Sequence, residues 1–254
     1  MSIEEVHLWR GTPEQQALRS QLVKATQFAY FDRQLGHPDW RGKRVLDFGG
    51  NKGNLLLDPT CAIRHEDYYC LDVMGAAIGE GRKNFPEAHF VHYDDYNCSF
   101  NPDGVRDLPV PDLGVEFDFI VAFSVFTHTT LAEMKDLVAQ LQQRLARGGK
   151  LAFTFIDPHW NGNLRWRLEK QNPVERVAAL LAEMRDVQWC SLVNGTELYF
   201  GSSGVWDAAK NGCLTYNVFY SEEFLRGQFP GVTIKKPVND EMQHCCILGA
   251  EERG

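Results

Sequence analysis

Five short apolar bursts mark the first two thirds of the chain: GKRVLDFGG (42–50), DYYCLDV (67–73), HFVHYDD (89–95), FDFIVAFSVF (117–126) and GKLAFTFID (149–157). Each is too short for a helix. Each is apolar at successive rather than alternate positions, as a strand buried on both faces requires. Segments with helical periodicity separate them. In LAEMKDLVAQLQQRLARGG (131–149), Leu131, Met134, Leu137, Val138, Leu141 and Leu145 share one face. Thr130 and Glu133 have the spacing of a capping box, and Gly148-Gly149 offers a stop. Residues 12–35 read as a further helix, with Thr12 as cap, Pro13 in the first turn and Gln15 completing a box. Strands alternating with helices predict βαβ units and a mostly parallel sheet.

After residue 157 the rhythm breaks. PHWNGNLRWRLEKQ leads to a helix from Asn172-Pro173 to about Gln188, and a turn-rich aromatic stretch runs on to Gly212. A short helix (221–229) and two strands (232–238 and 242–250) close the chain. The pattern predicts one α/β domain on a doubly wound, mostly parallel seven-stranded sheet with helices on both faces. Residues 1–36 are expected as an N-terminal helical cap and 37–157 as the ligand-binding half. Residues 158–218 are expected as an inserted lid, and 219–254 as the C-terminal helix and two strands. Insertions at the carboxyl edge of such a sheet commonly wall a ligand pocket.

Composition narrows the partners. Lys plus Arg is 26 against 34 for Asp plus Glu, a formal net charge of −8 over 254 residues. That balance disfavours nucleic acid, whose phosphates demand basic surface. No apolar run reaches the roughly 18 residues of a membrane helix, so no membrane span is expected. The acidic, polar start MSIEEVHLWRGTPEQQ is unlike a signal peptide. Seven cysteines are scattered with neither C-x-x-C nor zinc spacing, which reads as reduced core thiols in a cytoplasmic protein with no bound metal. The vicinal Cys245-Cys246 pair reads as strand packing.

The chemistry concentrates in VLDFGGNKGN (45–54), which joins a predicted strand to a predicted helix, where open α/β sheets bind ligands. Glycines there let backbone approach a ligand, and a helix start presents free N–H groups. A nicotinamide dinucleotide wants G-x-G-x-x-G, but counted from Gly49 both position 51 and position 54 are Asn. What remains is Asp47-x-Gly49-Gly50-x-x-Gly53. A carboxylate at the strand end repels a pyrophosphate and accepts hydrogen bonds from an ammonium group, which suits the amino-acid end of S-adenosylmethionine.

These residues make the chain resemble the class I S-adenosylmethionine-dependent methyltransferases over roughly residues 40–157. The family's first motif, an acid followed by G-x-G-x-G, is matched at Asp47, Gly49 and Gly53, with Asn51 in place of the middle glycine. The resemblance implies a Rossmann-like fold with S-adenosylmethionine as cofactor. It implies that Asp72, ending the second strand 23 residues after Gly49, binds the ribose hydroxyls, an offset shared with other nucleotide folds. An acid after the third strand, Asp94 in preference to Asp95, is assigned to the adenine amine. Phe123 and Ser124 end the fourth strand beside the cofactor, and LARGGKLAFTF resembles the family's glycine turn into strand five. The implied cofactor site comprises Asp47, Gly49, Gly50, Asn51, Gly53, Asp72, Val73, Asp94 and Ser124.

Methyl transfer needs a nucleophile held opposite the sulfur, a base where that nucleophile carries a proton, and a dry pocket. His128, after the fourth strand in SVFTHTT, is the first candidate base. Asp157 and His159, after the fifth in FIDPHW, are candidates to orient it or to bind substrate. The fourth strand ends Phe123-Ser124-Val125-Phe126 rather than N/D-P-P-Y/F/W, which argues against methylation of base or glutamine nitrogens. No triad of acids suggests a magnesium-dependent member. Trp160, Trp166, Trp189, Tyr199, Phe200 and Trp206, with Phe28, Tyr30 and Phe31, suit stacking on an apolar or planar small molecule, and equally the packing of a lid. Arg165 and Arg167 flank Trp166, facing solvent or a substrate anion. The expectation is an enzyme methylating an oxygen of a natural-product intermediate. N- or C-methylation and a non-catalytic adenosylmethionine-binding partner stand as alternatives, and a nicotinamide oxidoreductase is disfavoured by the glycine spacing.

Overall fold

The computed structural model describes residues 26–97, 100–157, 160, 189–192, 198–200, 216–238 and 243–250. Ten strands are described: β1 (Val45–Phe48), β2 (Tyr68–Asp72), β3 (His89–His92), β4 (Phe117–Ala122), β5 (Leu145–Phe155), β6 (Trp189–Leu192), β7 (Leu198–Phe200), β8 (Tyr216–Phe219), β9 (Thr233–Lys235) and β10 (His244–Gly249). The α-helices among them are α1 (Gln27–Gln34), α2 (Gly75–Asn84), α3 (Leu131–Gln142) and α4 (Glu222–Gln228).

Seven strands form the expected sheet, in the order β3-β2-β1-β4-β5-β10-β9. Strands β1 to β5 pair in parallel, with Val45 opposite both Tyr68 and Phe119. Only β10 runs against its neighbours, pairing antiparallel with β5 and β9. The order reverses between β1 and β4, where a crevice opens at the carboxyl ends of the strands. Strands β1, β2, β4 and β5 bury both faces, whereas the edge strands β3 and β9 expose residues on one face. Leu46, Ile120, Phe153 and Cys246 face one core with Met134, Val138 and Leu141 of α3 and Leu225 of α4. Val45, Val121, Ala152 and Cys245 face the other core with Phe28 and Phe31 of α1 and Ile78 of α2. The vicinal cysteines thus divide between the two layers, as strand alternation requires.

The Thr130–Glu133 capping box is present. The Thr130 N–H donates to Glu133 Oε2 at 2.7 Å, and the Glu133 N–H donates to Thr130 Oγ1 at 3.2 Å.

Three expectations change. Helix α3 stops at Gln142, and the glycines beyond it shape a bulge rather than a helix end. Pairing jumps from Phe117–Leu145 to Phe119–Lys150. At Gly149 a Cβ would lie 2.8 Å from the Phe117 carbonyl oxygen, so the bulge closes only around a bare backbone. Second, no regular helix follows the glycine loop: residues 51–60 run as successive turns, with Gly53 at φ +93° breaking any helix at its start and Pro59 blocking one at its end. Third, the segment expected as a lid contains β6, β7 and part of β8, a three-stranded antiparallel sheet in the order β7-β6-β8. Residues 12–25 of the N-terminal helix and the helix expected over 172–188 lie outside the described residues. No helix among the described residues is long and apolar enough to cross a membrane.

Helix α2 approaches β3 through Gly81, where an added Cβ would sit 2.3 Å from the buried Phe90 ring. Gly81→Ala therefore forces Phe90 out of its place and lowers stability by about 1–3 kcal/mol, measured by urea unfolding; an unchanged midpoint contradicts this packing.

Candidate functional site

A cavity of about 810 Å³ opens at the carboxyl ends of β1 to β4, within the roughly 300–1,000 Å³ span of small-molecule sites. Its floor is the glycine loop. Gly49 has φ +76° and approaches β4 so closely that a Cβ would lie 2.3 Å from Val125 Cγ2. Asn51 has φ +56°, a left-handed conformation that Asn tolerates better than most residues. That explains how Asn stands where the family motif carries glycine. Gly49 and Asn51 line the cavity, whereas Gly50 and Gly53 face inward: a Cβ on Gly50 would lie 2.5 Å from the Asp47 carboxylate, and one on Gly53 would lie 3.1 Å from the Phe90 ring.

Asp47 is not on the cavity wall. It is buried beneath the loop, where Tyr68 Oη donates to its Oδ2 at 2.7 Å and the Leu55 backbone adds a second bond. Burial raises its pKa to about 7, with the neighbouring Asp72 charge adding to the rise and the Tyr68 and Leu55 hydrogen bonds opposing it. The expected contact between this carboxylate and a ligand's ammonium is therefore not what the geometry offers: the strand-end acid braces the loop from below.

Asp72 does line the cavity. Its Oδ2 accepts from the Asn51 N–H and its Oδ1 from the Met74 N–H, both at 2.7 Å, so one carboxylate fixes the glycine loop and the entry to α2 together. Burial raises its pKa, opposed by those two hydrogen bonds. Val73 lies beside it on the wall.

The preference between the two acids after β3 reverses. Asp95 lines the cavity, whereas Asp94 points away, accepting from Asn101 Nδ2 at 3.0 Å. The chain leaves the sheet at His92, so strand alternation no longer dictates which acid turns inward. Asp95 accepts from the Leu108 N–H at 3.3 Å, and burial raises its pKa. Tyr93, Tyr96 and Arg106 complete this end, the Arg106 guanidinium stacked 3.7 Å over the Tyr96 ring.

Ser124 lines the cavity at φ +60°. Its N–H donates to Thr154 Oγ1 at 2.7 Å, and its Oγ accepts from Gln243 Nε2 at 3.1 Å. Thr154 Oγ1 in turn donates to Gln243 Oε1. His128 ends a single 3-10 turn (Phe126–His128) on the wall, its ring edge-on to Phe100 at 5.0 Å, and Asn97 Nδ2 donates to its carbonyl at 3.1 Å.

Asp157 does not line the cavity. Its Oδ2 accepts from the Glu222 N–H at 2.9 Å, at the start of α4, where an acidic group suits the helix end. His159 lies outside the described residues. Sequence reasoning missed Gln27, Asn54, Thr129 and Gln243, all of which line the cavity. Asn54 Oδ1 and Thr129 Oγ1 are buried with no hydrogen-bond partner. Only the nearness of Asn54 to the glycine motif could have drawn attention to it. Among the described residues no group of three His, Cys, Asp or Glu side chains could hold a metal ion.

A β3-β2-β1-β4-β5-β10-β9 order with one reversed strand, and an acid-ended β2 on a cavity at the switch point, define the class I methyltransferase fold. The chain belongs to a family described as a methyltransferase domain, which matches residues 20–199. No curated protein sequence matches the chain. Solved structures share the fold. One is CalS10, an amino pentose methyltransferase from Micromonospora echinaspora, at TM-score 0.54 and 14% identity over 94% of this chain and 98% of that one. Another is the glycopeptide N-methyltransferase MtfA, at TM-score 0.50 and 13% identity over 93% and 97%. A third is the pyocyanin biosynthetic protein PhzM, at TM-score 0.51 and 14% identity over 96% of this chain but 60% of that one.

The buried acids set a pH dependence. Asp47 ionises more easily in the unfolded chain than in the fold, so its protonated form stabilises the fold, fully below about pH 4 and no longer above about pH 7. Asp72 and Asp95 act in the same direction. Asp47 alone is expected to cost on the order of 4 kcal/mol once ionised. Thermal unfolding at intervals from pH 5 to 8 should show stability falling, and Asp47→Asn should flatten the fall. A wild-type curve that rises over this window contradicts the burial argument.

Proposed function

We propose that this chain transfers the methyl group of S-adenosylmethionine to an oxygen of a small natural-product intermediate, as a cytoplasmic enzyme. The observation that carries the cofactor assignment is the Asp72 carboxylate, aligned by two backbone N–H groups at the edge of the cavity. A carboxylate so held is an acceptor for a pair of ribose hydroxyls. Asp95 suits an exocyclic amine, and Tyr93, Tyr96 and Leu108 supply the flat apolar surface that a purine stacks on. CalS10 and MtfA were solved with S-adenosylmethionine and S-adenosylhomocysteine respectively, and CalS10 is described as acting in calicheamicin biosynthesis. Those descriptions support a small acceptor here.

Bound S-adenosylmethionine supplies an electrophilic methyl on a cationic sulfur. The chain's part is to hold the acceptor in line, exclude water and take a proton from a hydroxyl nucleophile. Among the described sequence-derived candidates His128 lines the cavity, whereas Asp157 is engaged at α4. In this reading the His128 ring accepts the hydroxyl proton. Ser124, held by Thr154 and Gln243, shapes the wall beside it. A nitrogen acceptor is the second reading, favoured by the acidity of the wall: Asp72, Asp95, Asp107, Glu133 and Asp136 line it, against Arg106 alone among the described Lys and Arg residues. That field suits an amine.

Asp72→Ala should weaken S-adenosylhomocysteine binding by roughly 1–3 kcal/mol. Asp95→Ala should weaken it and Asp94→Ala should not, all read by calorimetry. An Asp72 variant of unchanged affinity removes that residue from the site. His128→Ala should lower kcat about 10²-fold or more with cofactor affinity kept; a normal rate demotes His128 to a structural role. The acceptor itself is tested by incubating the protein with labelled methyl donor and metabolite extracts, where an O-methylated product is expected. An N-methylated product replaces the first reading with the second.

A further inference from the structure

We infer that Asn97 and Phe100 are positioning residues for His128, the first gripping its backbone and the second its ring, so that the imidazole keeps one place on the cavity wall. The inference rests on the reading of His128 as proton acceptor given above.

A base must come within about 2.6–3.2 Å of the proton it takes, and an unrestrained side chain at a turn end loses rotamer freedom in doing so. Two restraints act on His128. Its turn is sunk into the fold: Phe126 and Thr127 are fully buried, Thr127 Oγ1 donates to the Ser124 carbonyl at 2.8 Å, and the His128 N–H donates to the Val125 carbonyl at 2.9 Å. From the opposite side Asn97 Nδ2 donates to the His128 carbonyl at 3.1 Å, while Asn97 Oδ1 accepts from the Phe100 N–H at 3.2 Å. One amide thus joins the backbone of His128 to the backbone of the residue whose ring meets the imidazole, with centroids 5.0 Å apart and planes at 87°. Phe100 is 42% exposed, so burial in a core does not account for its place.

The segment behind this grip is stiff. Asn97 and Asn101 exchange backbone hydrogen bonds at 3.1 and 2.8 Å. Asn101 Nδ2 donates to Asp94 Oδ1 at 3.0 Å and to the Asp95 carbonyl at 2.9 Å. The Val105 N–H donates to the Asp94 carbonyl at 2.8 Å, and the Tyr96 N–H to the Val105 carbonyl at 2.9 Å. At Gly104 a Cβ would stand 2.6 Å from the Asp95 carbonyl oxygen, so the chain returns this closely only with a bare backbone. Asn97 and Phe100 line the cavity but carry no titratable group, so they act on proton transfer through His128. A displacement of about 1 Å at a reacting group costs up to about 10²-fold in rate.

The test compares initial rates of label transfer from S-adenosylmethionine to a metabolite extract at one dilution, with S-adenosylhomocysteine affinity read by calorimetry. Asn97→Ala and Phe100→Leu should each slow transfer by about 10-fold or more and leave that affinity unchanged, which also reports that the variant is folded. Phe100→Tyr, which keeps the ring, should restore most of the rate. Placed on His128→Ala, neither substitution should slow transfer further, because the group they act through is gone. Nuclear Overhauser contacts between the Phe100 and His128 rings, present in the wild type and lost in Asn97→Ala, read the grip without any acceptor. The inference is overturned if either variant transfers at the wild-type rate, if the losses add to that of His128→Ala, if cofactor affinity falls in step with the rate, or if the ring contacts are absent from the wild type. His128→Ala of normal rate overturns the base reading, and this inference with it. A slow His128→Ala beside normal Asn97 and Phe100 variants overturns this inference alone.

Discussion

Two carboxylates at the carboxyl ends of adjacent parallel strands hold the site in shape. Asp72 gathers the N–H groups of Asn51 and Met74, and Asp47 presses up beneath Gly50 while Tyr68 and Leu55 satisfy it. The glycine loop lies between them and owes its path to both. The arrangement is electrostatically uneasy, since burial and mutual repulsion raise the pKa of Asp47 and burial raises that of Asp72. Of the two, only Asp72 reaches the cavity wall, and its carboxylate is an acceptor there.

The centre of the sheet was legible because β1, β2, β4 and β5 are buried on both faces, which writes each as a largely apolar run. Val45 and Leu46 are both buried yet belong to opposite cores, and Thr154, Cys245 and Cys246 sit where alternation puts them. The glycine motif was legible for a different reason: positive φ and close backbone approach restrict residue identity at Gly49 and Asn51. What periodicity could not read were places where a local signal has two uses. Gly148-Gly149 can end a helix or bare a bulge, and the choice depends on how β4 pairs with β5. Asp157 can serve a substrate or a helix end, and the choice depends on α4, which follows 65 residues later. The Asp94–Asp95 ambiguity is of the same kind, because two and three residues beyond the end of β3 the period of two has lapsed.

The cavity's remaining polar residues were invisible for a deeper reason. Gln27, Thr129 and Gln243 belong to no motif, Asn54 only closes the glycine stretch, and each matters through neighbours that the fold assembles. Gln243 meets Ser124 across 119 residues and Thr154 across 89. Amides and hydroxyls at such positions look, along the chain, like any solvated side chain. Their burial is what marks them, since an unsatisfied polar atom inside a fold needs a partner from somewhere.

The wall around Ser124 shows how such residues shape reactivity without taking part in it. Ser124 is held at φ +60°, a conformation costly for a residue with a Cβ. Thr154 takes up its N–H and Gln243 supplies a donor to its hydroxyl, while Thr127 packs its own hydroxyl 2.9 Å from the same atom. Residues from β5 and the edge of β10 therefore keep the end of β4 in one strained shape. That end carries Phe123 against α1 on one side and leads to His128 on the other. In-line displacement tolerates little lateral error, since reacting atoms must sit within about 3–3.5 Å and aligned. A wall locked by hydrogen bonds from Thr154, Gln243 and Thr127 places α1 and His128 in fixed relation to one cavity.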